Sequence, residues 1–195
     1  MRAILLNCTL RRTPAPSNTE LLLGVVRDAL ERDGVETMSW RVVDQQVHDG
    51  VSSEAQGEGD GWPAIHDAIV AAEILVLATP TWVGQPSSVA KRVLERMDGM
   101  ISETRDDGLP IATDKVAGFV VTGNEDGAHH VIAELAQGVI DIGFTVPGQA
   151  WTYWNRGPGP GPSYSETDEG HDWSRRTGET AARNLLRTAR ALAAG

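Results

Sequence analysis

Cysteine is almost absent from this chain of 195 residues, which has Cys8 alone. One thiol forms no internal disulfide and cannot hold an iron–sulfur cluster that needs four thiolates. Basic residues are also few, because 17 Lys and Arg stand against 27 Asp and Glu and give a formal net charge of −10. Nucleic-acid partners require basic faces, so this composition predicts none.

Long apolar runs are missing as well. The longest purely apolar runs are far too short to span a bilayer, so we expect no membrane partner. Residues 1–10 hold only a brief apolar patch without a cleavage-like small-residue site, which predicts no signal peptide and a cytoplasmic location. The length and the apolar content of 41% suit one domain over residues 1–195, with no repeat and no linker.

Several catalytic signatures are also absent. The chain has no G-x-G-x-x-G fingerprint, no Walker-type loop and no nucleophile elbow of a Ser–His–Asp enzyme. The histidines lack metal-ligand spacing, so we expect no metal site; they are His48, His66, His129, His130 and His171. Cys8 ends a predicted strand and is interpreted as a small core residue rather than a nucleophile.

The stretch over residues 74–88 organises what is present. Residues 74–78 (ILVLA) are typical of a strand buried on both faces. The run stops at Pro80, and a loop carrying Trp82 and Gly84 leads to Pro86, which suits the first turn of a helix, and to two serines able to cap it. Strand–turn–helix units of this kind are common, so the neighbouring segments decide what it does.

Strands alternate with helices along the rest of the chain. Further strands are predicted at residues 2–8, 36–43, 115–122 and from Phe144 onward; helices at 21–34, from Pro63, at 131–142 and at 177–194; and a long surface loop at 44–61. This alternation implies right-handed crossovers and a parallel sheet covered on both faces. We predict an α/β, flavodoxin-like three-layer sandwich with five parallel strands in the order 2-1-3-4-5.

Three specialised loops follow the first, third and fourth strands, which are neighbours in that order. They span residues 9–19, 80–85 and 123–127. Ligands bind beyond the carboxyl ends of such strands, where the strand order reverses. Convergence of the three loops is therefore the strongest functional signal in the sequence.

The first loop favours an anion. It ends at a helix N-terminus, where free amides and the helix dipole attract negative charge, and Arg11 or Arg12 adds a cation. Thr9, Ser17, Asn18 and Thr19 supply further donors. A capping box of Ser17 and Glu20 would explain the serine without any ligand. The donor set, without a glycine-rich motif, fits a mononucleotide phosphate better than a dinucleotide.

The other two loops suit a planar ring. Gly84, Gly123 and Gly127 let backbone amides approach a ring edge, and Trp82 can flank a ring face. Asn124 and Asp126 can bond ring heteroatoms, although Asp126 equally suits an Asx turn before the next helix.

These residues resemble the NAD(P)H-dependent FMN reductase family of flavodoxin-like flavoproteins. The resemblance runs through residues 7–19, 80–87 and 122–130 and covers the chain to about Trp154. It implies FMN as cofactor, with the phosphate at Thr9, Ser17, Asn18 and Thr19 and the isoalloxazine against residues 80–84 and 123–127. The expected cofactor-binding residues are Thr9, Arg11, Ser17, Asn18, Thr19, Pro80, Thr81, Trp82, Val83, Gly84, Thr122, Gly123, Asn124, Asp126 and Gly127.

The resemblance also implies an activity. A reduced nicotinamide, NAD(P)H, would pass hydride to the flavin, and a small acceptor such as a quinone, an azo or nitro compound or free flavin would take the electrons. No catalytic side chain is assigned, because the cofactor carries the chemistry. The alternatives are a non-enzymatic electron carrier docking to a protein partner and a fold of this type that has lost flavin.

The segment GPGPGP at residues 157–162 has no counterpart in the resemblance. Alternating proline and glycine exclude helix and central strand, so we expect an extended loop. Trp151, Tyr153 and Trp154 precede it and are expected either to wall the flavin pocket, within one subunit or across a homodimer, or simply to cover the sheet edge.

Overall fold

Five parallel strands form the centre of the molecule in the computed structural model, which describes residues 1–158 and 161–194. The strands are β1 (Arg2–Asn7), β2 (Glu36–Arg41), β3 (Ile74–Trp82), β5 (Val116–Gly123) and β6 (Trp151–Asn155), and the two-residue β4 (Gln85–Pro86) pairs antiparallel with the end of β3. Their order is β2-β1-β3-β5-β6. With β4 set aside, this order confirms the predicted 2-1-3-4-5.

Helices cover both faces of this sheet. They are α1 (Asn18–Arg32), α2 (Trp62–Ala71), α3 (Ser88–Met97), α4 (Ala128–Ile142) and α5 (His171–Leu192), with short 3-10 helices at Val42–Gln45, Asp98–Ser102 and Tyr164–Glu166. Alternate residues of β1, β3 and β5 point into two apolar cores, one beneath α2, α3 and α4 and the other beneath α1 and α5. No helix within the described ranges is both long and apolar enough to cross a membrane.

Helix boundaries follow from capping groups and glycines. Ser17 caps α1 by accepting a hydrogen bond from the amide of Glu20, and Ser87 caps α3 in the same way through Ala90. Gly143 ends α4 in the left-handed conformation, at φ 112°. The serine cap predicted for the helix after Pro86 is confirmed.

Four boundary predictions were wrong. β3 continues through Pro80 to Trp82 and turns back as a hairpin, so Pro86 lies in β4 instead of a helical turn. Val42 and Val43 belong to a 3-10 helix rather than to β2. The fifth strand begins at Trp151, since Thr145 contributes only an isolated bridge to Val116. The last helix begins at His171, six residues before the predicted start, because Gly170 at φ 79° allows the chain to turn into it.

The long loop at residues 44–61 is anchored by Arg96 of α3, a contact that the sequence did not reveal. The buried guanidinium donates hydrogen bonds to carbonyl oxygens of His48, Ser52 and Glu54 at 2.9, 2.9 and 2.6 Å. It also forms a buried ion pair with Asp60 at 2.7 Å. Burial alone would raise the pKa of Asp60, but hydrogen bonds from the Gln56 amide, Arg96 and the amides of His48 and Trp62 outweigh it and hold that pKa well below its ordinary value.

Candidate functional site

A cavity opens at the carboxyl ends of β1, β3 and β5, where the three predicted loops converge. It encloses about 740 Å³ including its open mouth. Its lining residues come from the first loop, the ends of β3, β5 and β6, and a C-terminal segment: Thr9, Leu10, Arg11, Pro16, Ser17, Asn18, Thr19, Pro80, Thr81, Trp82, Thr122, Gly123, Asn124, Trp154, Ser163 and Tyr164.

One end of this cavity is the N-terminus of α1. Ser17 Oγ accepts hydrogen bonds from the Glu20 amide at 3.2 Å and from Asn7 Nδ2 at 3.4 Å. The Glu20 carboxylate pairs with Arg41 rather than reaching back to Ser17, so the capping box predicted as an alternative is only half formed. The other amides of the first turn face an opening suited to an anion.

Arg41 of β2 holds the first loop in place and was missed from the sequence. Its guanidinium donates to the carbonyl oxygens of Ala15 at 2.7 Å and Arg11 at 3.3 Å, besides its pair with Glu20. Nothing in the local pattern around the end of a strand signals contacts to a loop 26 and 30 residues earlier. The result is a loop whose shape is fixed by a neighbouring strand.

The floor of the cavity is a cluster of buried hydroxyl groups. Thr19 Oγ1 and Thr122 Oγ1 share a hydrogen bond of 2.8 Å. Thr81 Oγ1, only 2% exposed as a residue, has no hydrogen-bond partner among the described residues. A buried hydroxyl without a partner costs free energy, and this one lies in the wall of a cavity able to receive a polar ligand.

Gly123 permits the close approach of β3 and β5 beside this hydroxyl. A Cβ atom at Gly123 would lie 2.9 Å from the carbonyl oxygen of Glu125 and 3.0 Å from Cβ of Thr81. Any side chain at this position would therefore push Thr81 and the backbone of the third loop away from Gly123.

The hairpin tip and the third loop touch each other behind the cavity wall. Val83 N–H donates to Glu125 Oε1 at 2.8 Å, and a Cβ at Gly127 would come within 3.0 Å of Gly84 Cα. Four residues of the predicted set therefore lie outside the lining: Val83, Gly84, Asp126 and Gly127. Val83, Gly84 and Gly127 make the contacts between the two loops. The carboxylate that accepts the Val83 bond belongs to Glu125, which the sequence did not predict as a site residue.

The C-terminal segment closes a further side of the cavity. Ser165 N–H donates to Asn18 Oδ1 at 3.0 Å, which docks the 3-10 helix at Tyr164–Glu166 on the first turn of α1. The Tyr164 ring stacks on His171 with centroids 3.9 Å apart and meets Trp154 edge-on at 5.5 Å. Residues 163–164 thus contribute a wall that the three-loop prediction lacked.

The aromatic residues of β6 divide between the two faces of the sheet. Trp154 lines the cavity, whereas Trp151 and Tyr153 stack on the opposite face, where His129 and Trp173 meet them. Only one of the three aromatics therefore walls the cavity within the subunit.

The Gly-Pro segment that follows β6 was predicted as an extended loop. Its residues 159 and 160 lie outside the described part of the chain. The carbonyl oxygen of Gly161 accepts a long hydrogen bond of 3.4 Å from Asn124 Nδ2.

Cys8 lies beside the cavity but does not line it. The residue is fully buried, and burial raises the pKa of its thiol to about 12. A thiol that stays protonated at neutral pH is a poor nucleophile, which supports the interpretation of Cys8 as a core residue.

Comparison with known proteins places the chain in a family. The model of the NADPH-dependent FMN reductase family matches residues 1–158. The chain is 35% identical over 174 residues to the 8-demethyl-8-aminoriboflavin-5'-phosphate synthase of Streptomyces davaonensis, covering 85% of this chain and 68% of that enzyme. It is 34% identical over 200 residues to a divalent metal cation transporter of Mycobacterium bovis, with all of this chain but only 29% of the transporter's length covered.

Solved structures agree with this assignment. The crystal structure of RosB with bound 8-demethyl-8-formylriboflavin-5'-phosphate superposes with a TM-score of 0.86 at 33% identity, over 100% of this chain and 81% of that one. An archaeal flavodoxin superposes at 0.58 with 13% identity, over 95% of this chain and 99% of that one, and shares the fold alone. Because the family model matches residues 1–158, well over half of the chain, the chain belongs to the NADPH-dependent FMN reductase family.

Proposed function

We propose that this protein is an FMN-dependent oxidoreductase that passes electrons from NAD(P)H to a small acceptor. The observation that carries the proposal is the cavity itself, which has the N-terminus of α1 at one end and the partnerless hydroxyl of Thr81 in its wall. The first attracts an anion, and the second requires a polar partner. FMN offers both, as a phosphate at one end and ring heteroatoms at the other.

The residues present fit FMN better than FAD. Thr9, Ser17, Asn18 and Thr19 line the cavity around one helix N-terminus, which suits a single phosphate group. We propose that these four residues and Arg11 hold the phosphate. Pro80–Trp82 and residues 122–124 would hold the isoalloxazine, while Val83, Gly84, Asp126 and Gly127 shape the walls from behind.

Bound FMN would supply the chemistry of hydride acceptance from NAD(P)H and of electron donation to the acceptor. The chain's own groups bind, orient and enclose it. The amides of the first turn of α1 and the Ser17 hydroxyl stabilise the phosphate charge. The C-terminal wall at Ser163 and Tyr164 excludes water from one side of the cavity, and the mouth beside Trp82 stays open for the second substrate.

The rim of the cavity favours a planar, apolar acceptor. Leu10 and Trp82 line the cavity and are 46% and 50% exposed. Exposed apolar side chains at the mouth of a cavity are typical of a binding surface for an aromatic ring. Quinones, azo and nitro compounds and free flavin share this shape.

The test begins with the absorbance spectrum of the purified protein and identification of the flavin released by heat. Steady-state oxidation of NADPH and NADH is then measured with a quinone, an azo dye, a nitroaromatic and free FMN. Ferric citrate is added to the panel, because one-electron reduction of ferric iron yields a divalent cation and one relative is a divalent metal cation transporter. Turnover without any protein partner supports the assignment as an oxidoreductase. Flavin binding without turnover favours an electron carrier, and failure to bind any flavin overturns the proposal.

A second candidate follows from the Streptomyces davaonensis relative, named as the synthase of an aminated riboflavin phosphate. In this alternative, riboflavin 5'-phosphate is the substrate to be modified instead of a resident cofactor. Mass spectrometry of the flavin after incubation with the protein and candidate amine donors distinguishes the two. A changed flavin mass supports modification, and an unchanged flavin after many NADPH turnovers supports the reductase.

We also propose that the protein is a cytoplasmic homodimer. The support is the aromatic surface formed by Trp151 and Tyr153 of β6, an edge strand of the sheet, together with Trp173 of α5, which is 39% exposed. Apolar surface at a sheet edge is commonly covered by a second copy. Light scattering tests this proposal: a mass near twice 20.9 kDa is expected, and a monomer at micromolar concentration contradicts it.

A further inference from the structure

The tip of the β3–β4 hairpin is held in a conformation that its sequence disfavours. Trp82 pairs with Gln85, and the two residues between them have positive φ, 53° at Val83 and 70° at Gly84. Two central residues with positive φ form a type I′ turn, which favours Asn-Gly or Gly-Gly. Valine is branched at Cβ and is a rare residue in the left-handed region.

Packing does not compensate for this strain. The Val83 residue is 89% exposed, so its side chain gains little from burial in this conformation. The adjacent residues are nevertheless held closely, since a Cβ at Gly127 would lie 3.0 Å from Gly84 Cα and His130 Nε2 lies 3.1 Å from Gln85 Oε1. The tip rests on the third loop and the start of α4.

The Glu125 carboxylate supplies the bond at the strained residue itself. Its Oε1 accepts the Val83 N–H at 2.8 Å, and a bond from an amide to a charged acceptor is stronger than one between neutral groups. Glu125 follows Gly123 and Asn124 in the chain, and Val83 follows Thr81 and Trp82. The strands β3 and β5 are neighbours paired as far as Pro80 and Thr122, so the bond ties together the two loops that extend beyond their carboxyl ends, next to residues that line the cavity.

We propose that Glu125 is a positioning residue, whose carboxylate holds the strained Val83 amide and thereby fixes the hairpin tip relative to the third loop, beside the residues at the ends of β3 and β5 that would hold the flavin ring. This inference rests on the proposed function for the identity of the ligand. It assigns Glu125 no contact with the flavin. Its effect on binding passes through the conformation of the hairpin tip.

A double-mutant series tests the proposal, with Kd for FMN measured by fluorescence titration of the apoprotein. Glu125→Ala is expected to weaken FMN binding about tenfold, the order of one lost charge-assisted bond. Glu125→Gln keeps an acceptor oxygen, so its affinity for FMN should fall by about threefold or less. Val83→Gly removes the strain at φ 53°. The double variant with Glu125→Ala should therefore bind FMN less than about threefold more weakly than V83G alone. Glu95→Ala, at an exposed position on α3, is the matched control.

Amide hydrogen exchange of residues 80–86 in the apoprotein gives a readout that does not need flavin. Faster exchange there in Glu125→Ala, with an unchanged melting temperature, supports positioning. Unchanged exchange in Glu125→Ala overturns the positioning role. An equal loss of FMN affinity on adding Glu125→Ala to the wild-type protein and to V83G overturns it as well. If the wild-type protein binds no FMN, the proposed function fails, and the exchange result still decides whether Glu125 holds the tip.

Discussion

The hydroxyl oxygens of Thr19 and Thr122 lie 2.8 Å apart although the two residues are separated by 103 positions in the chain. One belongs to the first turn of α1 and the other to the end of β5. Their bond joins the first turn of α1 to the end of β5 in the lining of the cavity. Each hydroxyl satisfies the other, which leaves Thr81 Oγ1 as the buried hydroxyl of the lining that lacks a partner within the described residues.

Thr81→Val is expected to change stability and binding in opposite directions. Valine has nearly the same shape but no hydroxyl, so removing a buried group without a partner should leave the free energy of unfolding of the apoprotein unchanged or raise it by about 1 kcal/mol. FMN binding should weaken by about 1 kcal/mol, because a bond to the ligand is lost. Urea denaturation and FMN titration measure the two quantities. Unchanged FMN affinity would show that Thr81 does not meet the flavin.

Ser17→Gly separates the capping role of Ser17 from its role toward a ligand. Glycine is a tolerated N-cap, so the free energy of unfolding of the apoprotein should fall by only a few tenths of a kcal/mol. FMN binding should weaken by about 1–2 kcal/mol, because a hydroxyl donor to a charged phosphate is lost. Equal losses in both measurements would assign Ser17 to capping alone.

Asp60→Asn is expected to destabilise the fold by about 3 kcal/mol near neutral pH, because it leaves the buried Arg96 guanidinium without a counter-charge. The exposed Glu58→Gln in the same loop is the control and should change stability by less than about 0.5 kcal/mol. Urea denaturation of both variants near pH 7 makes the comparison. A similar loss in both would mean that the pair does not anchor the loop.

The stabilisation from Asp60 should also depend on pH in a defined direction. Its folded pKa lies below the ordinary value, so the stabilisation is complete above about pH 5 and declines as the pH falls towards the folded pKa. The wild-type advantage over Asp60→Asn should shrink by at most about 1.4 kcal/mol for each pH unit below the ordinary aspartate pKa. An advantage that stays constant between pH 6 and pH 3 would contradict this.

Trp82→Ala should weaken use of the electron acceptor more than use of NADPH. Because half of Trp82 is exposed at the mouth of the cavity, we expect KM for a quinone acceptor to rise about fivefold or more while KM for NADPH changes less. Trp173→Ala, at a partly exposed tryptophan of α5 that does not line the cavity, is the matched control. Equal effects on both substrates would place Trp82 on the flavin itself.

The sequence predicted the sheet order and the meeting of the three loops, because both follow from apolar runs alternating with amphipathic segments. The contacts of Arg41, Arg96 and Glu125 were not predictable in this way. Each joins a side chain to backbone groups or an amide far away in the chain, and such bonds leave no periodicity in the residues around them. The start of β6 was misplaced for a related reason, since Phe144–Val146 has strand-like composition but only a single bridge to β5.

The C-terminal wall escaped prediction because its signal lies in one hydrogen bond and one ring stack. Ser165 donates to Asn18 across 147 positions, and Tyr164 stacks on His171. The Gly-Pro segment before them indicated only that no regular element would form there.

Helix α5 determines where this protein can be truncated without losing its fold. Ala182, Leu185, Leu186 and Ala189 belong to the same apolar core as residues of β1, β3 and α1, yet all lie beyond residue 158, where the family match ends. The stretch shared across the family is therefore shorter than the cooperative folding unit of this chain. A fragment trimmed to the family boundary would keep α1 but expose to water the part of this core that α5 covers, and expression as an aggregate would be its expected fate.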